Sequence, residues 1–250
     1  MSYMHLQYQV ASFEEQLESI LQFLTVDQNL WWLDGFLTFY PHIAWDEIRN
    51  MDEEAKTIAL AEALRPLYDH LRAEMYENQV KYQLYWNQHE AFHDLYCCDV
   101  NHRFQNIIAN IGLNPISPRY LKTLCFDVFY KNSAHGAMGM ALHEIIHFVW
   151  FDRWNQLFHD DPCEYEAPHL KWIFSEMVTD TFMRDERLMK LNPYMQEGTA
   201  YAYFYQMNLD GRNVLDVLYD LYQTVTLEEF MRQGYAFCCT HENEIRQQMK

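Results

Sequence analysis

The sequence predicts a mostly helical α+β fold with one small sheet, and three observations lead to that prediction. Half of the 250 residues are hydrophobic, which is enough to bury a sizeable core. Glycine and proline are scarce, at seven residues each, which argues against an all-β sandwich or a disordered chain. Apolar side chains recur at three- and four-residue spacing through most of the sequence, as they do on one face of an α-helix.

The N-terminal part of the sequence is predicted to be helical. Apolar spacing indicates a helix over residues 12–24, with Ser12 as its N-cap and Glu15 completing a capping box. The same spacing predicts helices over residues 46–70 and 72–110. We therefore expect the chain to begin with a set of packed helices.

A break in the helical pattern follows at residues 112–118, which contain one glycine and two prolines. This break suggests a helical N-terminal region over residues 1–111 and a second region over residues 112–250, unless the two form one continuous domain. Residues 120–130 are rich in aromatic side chains and alternate near their end, so we predict a strand there.

After the predicted strand, the rest of the second region is predicted to be helical. One runs over residues 136–154, and another begins with Pro168 in its first turn and continues to about residue 190. Residues 201–250 indicate two or more further helices. The expected core of this region is therefore a small sheet packed with long helices.

The net charge, the hydrophobic pattern and the cysteine spacing indicate which classes of partner and which cell compartment to expect. The formal charge is −18, which repels phosphate backbones, so we predict no nucleic-acid partner. A negative field could attract basic substrates, although a solvated surface explains the same charge.

The sequence has no uninterrupted apolar run long enough for a membrane span and no leader-like N-terminus, so we expect no membrane partner. The six cysteines form no C-x-x-C pair, which is typical of reduced thiols in a cytoplasmic protein.

One pentapeptide, His143-Glu144-Ile145-Ile146-His147, points to metal chemistry. On a helix, His147 lies about 40° from His143 and Glu144 about 100° from it, so both imidazoles reach one ion and the carboxylate flanks it. The surrounding residues are apolar, so the helix should be buried, and a zinc ion would compensate its ionisable groups. The alternative is two core histidines bonded to carbonyls, with Glu144 at the surface.

A catalytic zinc site needs a third protein ligand. On the later helix, His169, Glu176 and Asp180 share one line among mostly apolar neighbours. We predict that Glu176 is the third zinc ligand. Asp180, one turn further on, is predicted to accept the outer N–H of a zinc-bound imidazole. The alternative is that both acidic residues belong to a solvated helical face.

H-E-x-x-H followed by a helix carrying E-x-x-x-D resembles the gluzincin branch of the zincin metallopeptidases, the thermolysin-like group. The resemblance extends over residues 143–180. It implies a zincin-like core, a bound Zn²⁺ and Glu144 as the general base of peptide-bond hydrolysis, with a peptide or protein as substrate. In this group a strand before the first metal-binding helix holds extended substrate at its edge, and residues 122–130 are in the corresponding place.

The resemblance also implies a Tyr, His or Arg that stabilises the oxyanion. We predict His169 and Tyr201 for this catalytic role. Four further side chains remain open for it: Tyr194, Tyr203, Tyr205 and His241. Two other functions also remain open at this stage: a non-catalytic binding or regulatory protein on a zincin scaffold, and a zinc hydrolase of a non-peptide amide.

Overall fold

The protein is mostly α-helical with a small mixed sheet, which confirms the predicted fold class. A computed structural model describes residues 5–24, 33–89, 104, 106–191 and 200–249, and the structural statements below concern these residues. The chain forms two compact units, Met1–Met140 and Ala141–Lys250.

The first unit is built on a four-stranded sheet. Its strands are β1 (His5–Val10), β2 (Asn106–Gly112), β3 (Arg119–Tyr120) and β4 (Cys125–Phe129), in the order β1-β2-β4-β3. β2 pairs in parallel with β1 and β4, and β3 runs antiparallel to β4. The central strand β2 is buried almost throughout, as expected for a parallel strand flanked on both sides.

Four helices complete the described part of this unit: α1 (Phe13–Leu24), α2 (Leu33–Phe39), α3 (Trp45–Arg49) and α4 (Glu53–Asn87). The predicted capping box at the start of α1 is confirmed, because Ser12 N–H donates to the Glu15 carboxylate and Glu15 N–H donates to the Ser12 hydroxyl. The predicted helices over residues 46–70 and 72–110 differ from the structure, where one helix, α4, covers most of the first range and continues without a break into the first part of the second.

The predicted helix over residues 72–110 is wrong in its last part, since residues 106–112 form β2. Ile107, Ala109 and Ile111 alternate along the strand, so they lie on one face of the sheet, and all three are fully buried there. Long-range pairing has overridden the local helical spacing here. The predicted boundary at residues 111/112 falls inside this strand, and the compact units instead divide after Met140.

The predicted strand over residues 120–130 is split by a turn at residues 121–124 into β3 and β4. The expectation that this segment offers a free edge to substrate is wrong. β4 lies between β2 and β3, and Asp127 N–H donates to Pro118 O at 2.8 Å. Phe129 N–H donates to the Ser117 hydroxyl at 3.2 Å, so the backbone donors on this side of β4 are already used.

A buried carboxylate, that of Asp127, lies on β4. It accepts a hydrogen bond from the Ser19 hydroxyl and lies 3.5 Å from the Tyr120 hydroxyl. Burial raises the pKa of Asp127 to about 7, although hydrogen bonds from Ser19, Asn110 and Tyr120 oppose the shift. The folded protein therefore holds a proton on Asp127 up to near-neutral pH.

Replacing Asp127 by asparagine is expected to flatten the pH dependence of stability. An unfolded aspartate ionises near pH 4, so the stability due to the bound proton is complete below about pH 4 and is lost as pH rises to about 7. A pKa shift of about three units corresponds to a loss of at most about 4 kcal/mol in the free energy of unfolding over this pH range. Chemical unfolding of Asp127→Asn and wild type from pH 4 to 8 measures this difference. The exposed Asp34→Asn variant is the control, and parallel pH profiles for Asp127→Asn and wild type would contradict the expectation.

The second unit is helical apart from one short hairpin. Its described helices are α5 (Ala134–Phe158, which begins in the first unit), α6 (Leu170–Met183), α7 (Glu186–Leu191), α8 (Val214–Thr224), α9 (Leu227–Thr240) and α10 (Glu242–Gln248). The hairpin consists of β5 (Asn208–Leu209) and β6 (Arg212–Asn213), and single 3-10 turns occur at Pro162–Tyr165 and Ala202–Tyr205.

The helix predicted over residues 136–154 is confirmed as α5. The one predicted from Pro168 to about residue 190 begins later, at Leu170, with His169 at the N-cap. It also ends earlier, because a turn after Met183 separates α6 from α7. The helices predicted within residues 201–250 are confirmed as α8, α9 and α10.

Aromatic packing fixes α6 against its neighbours. Trp150 of α5 packs edge-on against Phe174 of α6 and Phe230 of α9, with ring centroids 5.4 and 6.0 Å apart. Gly234 of α9 allows close approach, since a Cβ there would lie 2.7 Å from the Phe174 ring. α5 and α6 are therefore held in a fixed register within the second unit. None of the described helices combines the length and apolar character that a membrane crossing would need.

Candidate metal centre

The two predicted histidine ligands lie together on α5. His143 and His147 are one turn apart, and their Nε2 atoms are 3.0 Å from each other. The His147 side chain is fully buried and that of His143 is largely buried. Two nitrogen atoms at this separation cannot both direct a proton at each other, so at least one presents a lone pair.

Glu176 of α6 lies against both histidines. Its Oε2 is 3.4 Å from His143 Nε2, and its Oε1 is 3.4 Å from His147 Nε2. The side chain is 3% exposed, so the alternative of a solvated helical face is wrong for this residue. Three potential ligand atoms from two helices thus point at one position.

The spacing of these atoms matches a tetrahedral zinc site. Zinc–nitrogen and zinc–oxygen bonds of about 2.0–2.1 Å place two tetrahedral ligands about 3.3 Å apart. The three separations in this cluster are 3.0, 3.4 and 3.4 Å. The side chains could therefore bind one small cation without rearrangement of α5 or α6.

Burial provides a second reason to expect a cation. Glu144 and Glu176 are 5% and 3% exposed, and a buried carboxylate is costly unless a positive charge compensates it. The Glu144 Oε1 atom lies 4.0 Å from His143 Nε2, so this carboxylate flanks the three ligand atoms. The alternative that Glu144 lies at the protein surface is wrong.

Asp180 follows Glu176 by one turn and is also buried. Its Oδ2 accepts a hydrogen bond from Arg184 Nε at 2.7 Å, and its Oδ1 accepts one from the Tyr205 hydroxyl at 3.1 Å. Arg184 also donates to Asp216 of α8 at 2.8 Å. These bonds tie the Glu176 helix to the following segments, and the contact between Asp180 and an imidazole stays a prediction.

The two residues predicted to stabilise the oxyanion have different positions. His169 is exposed at the N-cap of α6. It precedes Glu176 by seven residues, which corresponds to about 10 Å along a helix, so the structure does not bring it into the cluster. The Tyr201 ring stacks on Tyr203, with centroids 5.3 Å apart and planes 2° apart.

Tyr203 is electrostatically linked to the cluster. Burial raises the pKa of the Tyr203 phenol above its usual range, and the negative charge of Glu176 raises it further. The phenol therefore stays protonated and lies within electrostatic range of the Glu176 carboxylate. The sequence includes Tyr203 among several candidates, and only its position relative to Glu176 in the structure distinguishes it.

The remaining candidates for the oxyanion role are placed elsewhere or lie outside the described residues. Tyr205 donates its hydroxyl to Asp180. His241 lies between α9 and α10, where its two ring nitrogens each face a carboxylate, at 3.3 and 3.2 Å. Tyr194 falls outside the described part of the chain. Among the described candidates, Tyr203 is therefore the one whose phenol is under the influence of the Glu176 charge.

The likeness of this site to the gluzincin arrangement rests on five positions of α5 and α6: His143, Glu144, His147, Glu176 and Asp180. No protein-family model matches this chain, and no curated protein or solved structure matches it.

Proposed function

We propose that this protein is a zinc-dependent metallopeptidase in which His143, His147 and Glu176 bind Zn²⁺ and Glu144 is the general base. The observation that carries the proposal is the convergence of three ligand atoms, 3.0–3.4 Å apart, beside a fourth buried side chain, Glu144. Two imidazoles and one carboxylate form a ligand set typical of catalytic zinc, whereas Mg²⁺ and Ca²⁺ prefer oxygen ligands alone.

The bound metal would supply Lewis acidity and would lower the pKa of a water molecule to about 7. Glu144 then takes a proton from the attacking water and passes it to the leaving amine. Its carboxylate is buried and flanks the three ligand atoms, with Oε1 4.0 Å from His143 Nε2, so it lies beside the position that a metal-bound water would occupy.

Tyr203 is the residue we assign to oxyanion stabilisation. Its raised pKa keeps the hydroxyl protonated throughout the working pH range, so it can donate a hydrogen bond to the oxygen on which negative charge develops. This assignment replaces His169, which is exposed at the N-cap of α6. Tyr201, the second predicted residue, contacts Tyr203 and is the weaker candidate.

The proposed substrate is a peptide or protein, and the proposed location is the cytoplasm. The peptide substrate is what the resemblance to gluzincins implies, and the location follows from the spacing of the cysteines in the sequence. In the described residues, Cys125, Cys163, Cys238 and Cys239 are free thiols.

Metal analysis and a peptide screen test this function together. Protein purified without chelator is expected to contain about one zinc per chain by mass spectrometry. It should cleave members of a quenched-fluorescence peptide library, lose that activity with chelator and regain it with added zinc. Absence of zinc would count against the whole proposal. Zinc without peptide cleavage would favour one of the two alternatives, which small amide substrates then separate.

A further inference from the structure

Three aromatic side chains form a continuous surface in the second unit, which we call the aromatic ledge: Trp172, Tyr201 and Tyr203. The two tyrosine rings are parallel, with centroids 5.3 Å apart, and the Trp172 ring lies 6.0 Å from Tyr201. All three side chains are half-buried. The ledge therefore keeps part of its aromatic surface accessible.

The ledge borders the metal centre. Trp172 precedes Glu176 by one turn of α6, which places the two side chains on the same face of the helix. At the other end, the charge of Glu176 acts on the Tyr203 phenol. A substrate bound at the cluster would thus have this aromatic surface beside it.

Hydrogen bonds hold the tyrosine segment in place. The Tyr205 hydroxyl donates to Asp180 of α6 at 3.1 Å. The side-chain amide of Asn213 donates to the backbone oxygens of Phe204, Tyr205 and Met207 at 3.0–3.2 Å. A surface fixed in this way binds a ligand without a large ordering cost.

We propose that the aromatic ledge is a substrate subsite that selects a planar side chain, aromatic or guanidinium, next to the scissile bond. The proposal rests on the proposed peptidase function. Aromatic rings stack on one another, and the guanidinium group of arginine stacks on aromatic faces while carrying a positive charge. The formal charge of −18 favours the approach of a cationic substrate.

A matched peptide panel tests the subsite. Peptides of one scaffold carry Phe, Leu, Arg or Lys on either side of the scissile bond, so that Leu controls for apolar character and Lys for charge. The expected kcat/KM is about fivefold higher for Phe than for Leu and for Arg than for Lys, as for one aromatic contact. Added salt should weaken the cleavage of the Arg peptide more than that of the Phe peptide.

Three variants assign the preference to the ledge. Trp172→Leu and Tyr201→Leu are expected to reduce both ratios towards one. Tyr203→Phe keeps the ring and removes the hydroxyl, so it should preserve the ratios while lowering kcat. Tyr76→Leu, at an exposed aromatic side chain of α4, is the control and should behave as wild type.

Binding provides a readout that does not depend on turnover. The same four peptides, labelled for fluorescence anisotropy, should bind the zinc-loaded Glu144→Gln variant in the same order as their kcat/KM values. If the wild type cleaves Leu and Lys peptides as well as Phe and Arg peptides, the subsite is disproved and the peptidase function stands. If it cleaves none of the panel or the library, both proposals are overturned. Should Trp172→Leu fail to fold, Tyr201→Leu and the binding order decide the question.

Discussion

Replacement of Glu144 by glutamine is expected to lower peptide hydrolysis by about 10²–10⁴-fold, the usual contribution of a general base. Glutamine has nearly the same shape as glutamate, but its amide cannot take a proton from water. Glu144 is not among the three converging ligand atoms, so zinc content should stay at about one per chain. Initial rates, metal analysis and thermal unfolding of the purified variant measure activity, zinc content and stability.

Asp152→Asn is the matched control for this experiment. Asp152 lies two turns after Glu144 on the same helix, is only half-buried and accepts a hydrogen bond from Gln156 at 2.6 Å. The same change from carboxylate to amide should leave hydrolysis close to wild type there. A Glu144→Gln variant within about threefold of the wild-type rate would show that another group acts as the base.

The parts of the site that could be predicted from sequence are those that depend on the geometry of a single helix. The angle between residues four apart places His143 and His147 on one stripe, and the same rule aligns Glu176 with Asp180. Apolar neighbours then indicate that both stripes face inward. The contact between the histidines of α5 and the carboxylate of α6 depends on how the two helices pack. The sequence could suggest that contact only through the resemblance to gluzincins.

Features that depend on long-range contacts could not be predicted in this way. β2 shows helical spacing in the sequence, and only its pairing with β1 and β4 makes it a strand. Tyr203 could not be chosen over Tyr201 from the sequence, because the position of each ring relative to Glu176 depends on packing between segments that are distant in the sequence. Likewise, nothing local indicates that residues 117–120 cover the side of β4.

Replacement of Glu176 by glutamine is expected to weaken zinc binding by about 100-fold or more, because the change removes the one anionic ligand of the three. Competition with a chromophoric chelator measures the dissociation constant. At a zinc concentration that saturates the wild type, a 100-fold weaker affinity corresponds to a loss of up to about 2.7 kcal/mol of metal-dependent stability. Hydrolysis at limiting zinc should fall with the metal content.

Stability measured without metal distinguishes a residue that binds the metal from one that only supports the fold. In the apo-protein, Glu176 is a buried carboxylate 3.4 Å from each of two imidazoles, and glutamine keeps its shape without placing a negative charge in the interior. We therefore expect Glu176→Gln to be as stable as the wild type with chelator and less stable with zinc. The exposed Glu186→Gln variant should match the wild type under both conditions. If Glu176→Gln retains wild-type zinc affinity, the third ligand is wrong and the hydrolase proposal loses its basis, since two imidazoles alone do not form a catalytic zinc site.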